Sequence, residues 1–108
     1  MSTKTVQQLK QEGSRVFLKH HKRFDGGYTT RVVIYNNGTV RYGEARAHTN
    51  DQFSRKIGRD IAIGRALSEK ASQPGYNRAG VVNHITEEQL ISFASDYVYN
   101  EAINIERD

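Results

Sequence analysis

The chain has 108 residues, enough for one domain and one modest core, and no cysteine, which excludes a disulfide framework, a thiol nucleophile and a cysteine metal site. Apolar residues make up 36 %, and no apolar run is long enough to span a membrane. The formal charge of +4 is unevenly spread: residues 1–80 carry 15 Lys or Arg against 6 acids, while residues 81–108 carry one Arg against 6 acids. Such a dipole either draws a polyanion to one side or folds onto itself, acidic end against basic.

In chain order, TKTVQQLKQE (residues 3–12) predicts a short helix, with Val6 and Leu9 on one face and Gly13 as its stop. RVFLKHHKRF (15–24) predicts a strand with Val16, Leu18 and His20 on one side and Phe17, Lys19 and His21 on the other. Asp25-Gly26-Gly27 is a turn. YTTRVVIYN (28–36) and TVRYGEARA (39–47) are strands joined by Asn37-Gly38, the pair favoured in a two-residue hairpin with both central residues at positive φ. That turn sets a register: Asn36 opposite Thr39, Tyr35 opposite Val40, Val33 opposite Tyr42, Arg31 opposite Glu44. The hairpin face with Tyr28, Thr30, Val32, Ile34, Gly43, Ala45 and Ala47 is assigned to the core. The face with Arg31, Val33, Tyr35, Val40, Tyr42, Glu44 and Arg46 is left open.

The period then changes from 2 to 3.6. Thr49 and Gln52 fit a capping box, Asp51 suits the first turn of a helix, and DQFSRKIGRDIAIGRAL (51–67) predicts that helix, running on to about Ser68 or Ala71. Phe53, Ile57, Ile61 and Gly64 form the stripe expected to face the sheet, widened by Ala62, Ile63 and Ala66. Gly58 and Gly64 each cost about 1 kcal/mol in a helix relative to Ala, so a close approach is expected to offset them, most simply to the sheet near Gly43 and otherwise by an external ligand. Lys56–Asp60 and Arg65–Glu69 are surface pairs at i,i+4; Arg55 and Arg59 lack such a partner, Asp51 aside. SQPGYNRAG (72–80) is a loop, Val81 and Val82 a short extended piece, and residues 86–104 a last helix on Leu90, Phe93, Ala94, Tyr97 and Val98. The expected object is one α+β domain over residues 1–108, order α-β-β-β-α-α: a three-stranded antiparallel meander with helices packed on one face.

The stretch GTVRYGEARAHTNDQFSRKIGRDIAIGRAL resembles small accessory proteins of bacteriophages and prophages, in which a hairpin ending in Y/F-G-x-A runs into D-Q-F-x-R-K-x-G-R-x-I-A-x-G-R. The matching positions are Tyr42, Gly43, Ala45, Asp51, Gln52, Phe53, Arg55, Lys56, Gly58, Arg59, Ile61, Ala62, Gly64 and Arg65. The resemblance covers about 30 residues and carries no catalytic assignment. It implies a viral accessory protein acting in the cytoplasm of a bacterial host, where such proteins bind host enzymes, defence complexes or nucleic acid.

The residues themselves spell no catalytic constellation. No glycine-rich phosphate loop joins a strand to a helix, and no nucleophile, base and orienter share a spacing. The basic run Lys19–Arg23 suits nonspecific phosphate contact, and its adjacent histidines point to opposite sides of a strand, which disfavours a metal. His48 and His84 share no ligand spacing. No metal, cofactor or enzyme activity is expected. The leading expectation is a non-enzymatic protein that binds and modulates a host protein or defence complex. Its contact or phosphate-binding residues would be Arg31, Tyr35, Tyr42, Arg46, Arg55, Lys56 and Arg59. The alternatives are direct nucleic-acid binding, with aromatics of the open face stacking bases, and a structural or self-assembling role, including a homodimer through that face.

Overall fold

The computed structural model describes residues 4–50, 52–76 and 78–100. Helix α1 (Val6–Gln11) opens with a capping box: the Thr5 hydroxyl accepts from the Gln8 amide, and the Gln8 side chain accepts from the Thr5 amide. It closes with Gly13 at φ +90°, where the Ser14 amide reaches back to the Leu9 carbonyl and the Gly13 amide to Lys10. Residue 3, the expected first residue of this helix, lies outside the described residues.

Strands β1 (Arg15–Lys22), β2 (Tyr28–Asn36) and β3 (Thr39–Ala47) form an antiparallel meander. Asn37 and Gly38 sit at φ 50° and 79°, and β2 pairs with β3 in the register the turn predicts: Asn36 with Thr39, Val33 with Tyr42, Arg31 with Glu44. After β3 the chain forms α2 (Arg55–Leu67), a 3₁₀ turn (Glu69–Ser72), β4 (Ala79–Val82), α3 (Glu87–Ala94) and a π-helical turn (Ser95–Tyr99).

The sheet has four strands in the order β1-β2-β3-β4 and helices on both faces. This corrects the three-stranded meander with helices on one face and the order α-β-β-β-α-α. The fourth strand includes the extended piece expected at Val81 and Val82 and begins at Ala79, inside the expected loop; at four residues it is too short to show alternation. It pairs antiparallel with Val40–Gly43, and the Glu44 amide adds a bond to the Arg78 carbonyl. Gly80 makes that pairing fit, because a Cβ there would lie 2.1 Å from the Tyr42 hydroxyl.

One face carries α1 and α2 over Leu9, Val32, Ile34, Ala45, Ala62, Ile63 and Ala66. The other carries α3 and the π turn: Leu90 and Val98 bury against Val33 and Val40, with Phe17, Tyr35, Tyr42, Phe93 and Tyr97 packed around them. The face left open by the sequence is therefore the floor of a second core. The 3,4 rhythm of Leu90, Phe93, Ala94, Tyr97 and Val98 is inward as expected. The regular helix, however, ends at Ala94, and residues 101–104 of the expected last helix lie outside the described residues.

Helix α2 corrects two further expectations. Its N-cap is Ser54, whose hydroxyl accepts from the Ile57 amide, not Thr49; Asp51 lies outside the described residues. Its inner face is Ala62, Ile63 and Ala66, while Ile57 is 60 % exposed and Ile61 41 %. The cause is backbone proximity. A Cβ on Gly43 would lie 2.5 Å from the Ala62 carbonyl and 2.7 Å from the Ala66 amide. At the Gly43 crossing itself only the alanine-sized Ala62 and Ala66 fit against the strand, Ile63 fills the core beside them, and Ile57 and Ile61 turn outward. Gly58 likewise presses on β2, with the Thr30 hydroxyl 2.6 Å from where its Cβ would be.

Candidate functional site

The seven residues singled out in the sequence fall into two groups on opposite sides of the sheet. Arg31, Tyr35 and Tyr42 lie under α3. Arg31 is nearly buried: its Nε donates to Glu44 Oε2 at 3.1 Å and its guanidinium stacks 4.8 Å from the centre of the Tyr97 ring. Tyr42 packs against Phe93 and Tyr97 with centroids 5.2 and 5.0 Å away. Burial first, and the Glu44 carboxylate next, raise the Tyr97 phenol above its ordinary value, so it stays neutral. No base could stack on Tyr42 without displacing α3, and a dimer through this face would have to displace it too.

Arg46 is exposed near the end of β3. Arg55, Lys56 and Arg59 sit across the sheet, on the first turns of α2. Lys56 is spent on Asp60 at 3.0 Å. Arg65 turns to the Glu44 carbonyl at 2.9 Å rather than to Glu69. Arg55 and Arg59 make no ion pair among the described residues. The acidic Glu87, Glu88 and Asp96 belong to α3 and the π turn on the far side of the sheet. Glu87 nonetheless reaches the basic part of the chain through Arg15 at 3.2 Å, and Glu101, Glu106 and Asp108 lie outside the described residues.

Around these arginines the chain builds a definite end. The β1–β2 turn is held by Arg23, whose guanidinium donates to the Tyr28 carbonyl, the Thr29 hydroxyl and the Ala47 carbonyl. Asp25 accepts from the Gly27 amide at 2.8 Å; that bond, and then Arg23 and Arg46, hold its carboxyl below the ordinary range. This braced turn presents Phe24, 75 % exposed. Phe53, just before α2, stacks on Tyr28 at 4.2 Å and meets the His20 ring edge-on at 5.4 Å. Beside it a cleft of about 170 Å³ opens between α2 and the end of β3, lined by Ala45, Ala47, Phe53, Ile57, Gly58 and Ile61.

His20 lies at the centre of the charge. It pairs in register with Thr30, and its Nδ1 is 2.6 Å from the Thr30 hydroxyl. Burial first, then Arg55, Arg59 and His21, push its imidazole below the ordinary value. Above that ordinary value, about 6.5, both folded and unfolded chains are neutral at this residue and it adds nothing to pH dependence. As pH falls below it, the unfolded chain takes the proton first, so stability drops until the folded imidazole also titrates. Thermal unfolding of wild type between about pH 7.5 and about pH 5 is expected to show this loss, and His20→Gln to flatten it. An unchanged slope in the variant would remove His20 as its source.

Sequence reasoning missed Phe24 and the outward turn of Ile57 and Ile61, and it placed His20 only within a basic run suited to phosphate. A usable signal was present for the isoleucines: Gly43 opposite Ala62 and Ala66 demands a small-residue helix face, and that face excludes them. Among the described residues, no group of three His, Asp or Glu could hold a metal, and no helix is long and apolar enough to cross a membrane. No protein-family model, curated protein or solved structure matches the chain.

Proposed function

We propose that the chain is a non-enzymatic binding protein that docks, through the basic end of α2, on an acidic surface of a partner protein. The observation that carries this is the pair Ile57 and Ile61, one helical turn apart and exposed on α2, with the Lys56–Asp60 ion pair alongside and Arg55 and Arg59 on the helix's other side. Protein interfaces combine an apolar centre with a charged rim, and arginine is enriched in them. Phosphate backbones reward arginine but gain nothing from isoleucine. Phe24 on its braced turn supplies a second apolar anchor. The resemblance to phage and prophage accessory proteins supports a bacterial host protein or defence complex as the partner, met in the host cytoplasm.

The experiment is capture from nuclease-treated bacterial lysate on immobilised wild type and on an Ile57→Asp/Ile61→Asp variant. Both side chains are exposed, so the variant is expected to keep its melting temperature within a few degrees, since surface changes are worth within about 0.5 kcal/mol each. It is expected to lose the protein that wild type retains. Direct nucleic-acid binding is the competing reading. It predicts that single- or double-stranded oligonucleotides bind with a steep salt dependence and that the isoleucine variant binds them unchanged.

A further inference from the structure

We propose that the cleft between the end of β4 and α3 binds a small amphipathic amine, an ammonium carried on an apolar or aromatic stem. The site is formed by residues 82–96, none of them on α2, and does not rest on the docking reading above. The cleft has a volume of about 460 Å³, within the range of about 300–1,000 Å³ typical of small-molecule sites. Val82, Ile85 and Phe93 supply its apolar lining, and Val82 is 39 % exposed. Gln89, Ser92, Phe93 and Asp96 recur at three- and four-residue spacing, so α3 and the π turn present one side to it. The π turn that carries Asp96 is a rare conformation, met mostly at functional sites.

His84 lines the same cleft with a strained backbone. Its φ is 59°, in the left-handed region that a non-glycine residue keeps only where its surroundings impose it. Two bonds impose it from either side: the Ile85 amide donates to the Gly38 carbonyl at 2.9 Å, and Asn83 Oδ1 accepts from the Thr39 hydroxyl at 3.0 Å. Glycine would adopt this backbone without strain. The exposed imidazole packs in neither core, so what the strain secures is a ring on the wall of the cleft. The donors and acceptors then select the ligand. An alkylammonium has three N–H donors, and the Asp96 carboxylate, the Ser92 hydroxyl and a His84 ring nitrogen are three acceptors in the lining. Its stem would cover Val82 and Phe93. An anion would face Asp96, and the described lining holds no Lys or Arg to offset that repulsion. The volume exceeds one lysine side chain, which favours a free molecule over a single residue of a peptide.

The test is titration of the full chain with phenethylammonium, followed by NMR of the protein amides and of the His84 ring. Binding is expected with a Kd on the order of 1 mM, as suits a ligand of this size, and with shifts centred on the cleft. Phenylacetate, an anion of similar shape, is expected not to bind. Asp96→Asn is expected to weaken phenethylammonium about tenfold. His84→Gly is expected to weaken it while Tm holds or rises, because glycine relieves the left-handed backbone; a purely structural residue would not separate the two. The site is overturned if phenethylammonium fails to bind at roughly ten times that concentration, if phenylacetate binds as tightly, or if either variant binds the amine as wild type does. Nα-acetyl-lysine amide carries the same ammonium on a peptide unit, and its binding more tightly than phenethylammonium would assign the cleft to a protein side chain and overturn the small-molecule reading. Ile57→Asp/Ile61→Asp is expected to bind phenethylammonium unchanged, so this site and the docking surface fail separately.

Discussion

Gly43→Val is expected to be among the most damaging single substitutions in this chain. Any Cβ at that position would meet the Ala62 carbonyl and the Ala66 amide, both backbone atoms of α2, so no rotamer change relieves it. The helix must lift from β3, and lifting it opens the core over Ala62, Ile63 and Ala66. Overpacking of this kind costs roughly 1–3 kcal/mol and more where backbone must move. For a domain of this size each kcal/mol lowers Tm by about 4–8 °C, so a fall of about 10–20 °C is expected in thermal unfolding. A variant that melts with wild type would show that α2 does not lie against β3 as described. Lifting α2 would also displace Arg55 and Arg59, so partner capture should fail together with stability.

The second large effect lies beneath α3. Arg31 and Glu44 are opposite each other on β2 and β3, 3.1 Å apart, with side chains only 11 % and 12 % exposed. Removing one partner strands the other charge against Tyr97, and Glu44→Ala is expected to cost about 3–5 kcal/mol. Replacing both with apolar residues of similar volume, Arg31→Met/Glu44→Leu, is expected to recover most of that loss, because a buried pair gains little over a well-packed apolar one. Denaturant titration of the two variants checks the contrast. Equal loss in single and double variants would mean that the pair's remaining bonds to its surroundings, rather than the pairing itself, hold this face.

These two sites also show what could be read from the residues and what could not. Asn37-Gly38 determines its turn by local backbone preference alone, and with it the whole β2–β3 register, including Arg31 opposite Glu44. The meaning of that pair was not local. A cross-strand ion pair looks like a solvated one until another element covers it, and the aromatic cover of Phe93 and Tyr97 is distant in sequence. Ile57 and Ile61 at i,i+4 have the spacing of a core stripe, and periodicity cannot tell a stripe that faces a sheet from one that faces a partner. The deciding information is tertiary: Gly43 brings the helix backbone so close that alanines take the inner face. Thr49 and Ser54 both have the chemistry of an N-cap, and the β3–α2 connection selects the later one. Strand β4 leaves almost no pattern in four residues, two of which are Ala79 and Gly80.

The account's central claim is that the outer surface of α2, and not the acidic face of α3, is the contact surface. Both helices expose an isoleucine, which makes the comparison fair: Ile91 on α3 is 48 % exposed. The most direct measurement is partner capture by three equally folded proteins: wild type, Ile57→Asp/Ile61→Asp and Ile91→Asp. The account predicts that wild type and Ile91→Asp retain the same partner and that the α2 variant loses it. Loss with Ile91→Asp and retention with the α2 variant would contradict it and move the contact surface to the other side of the sheet.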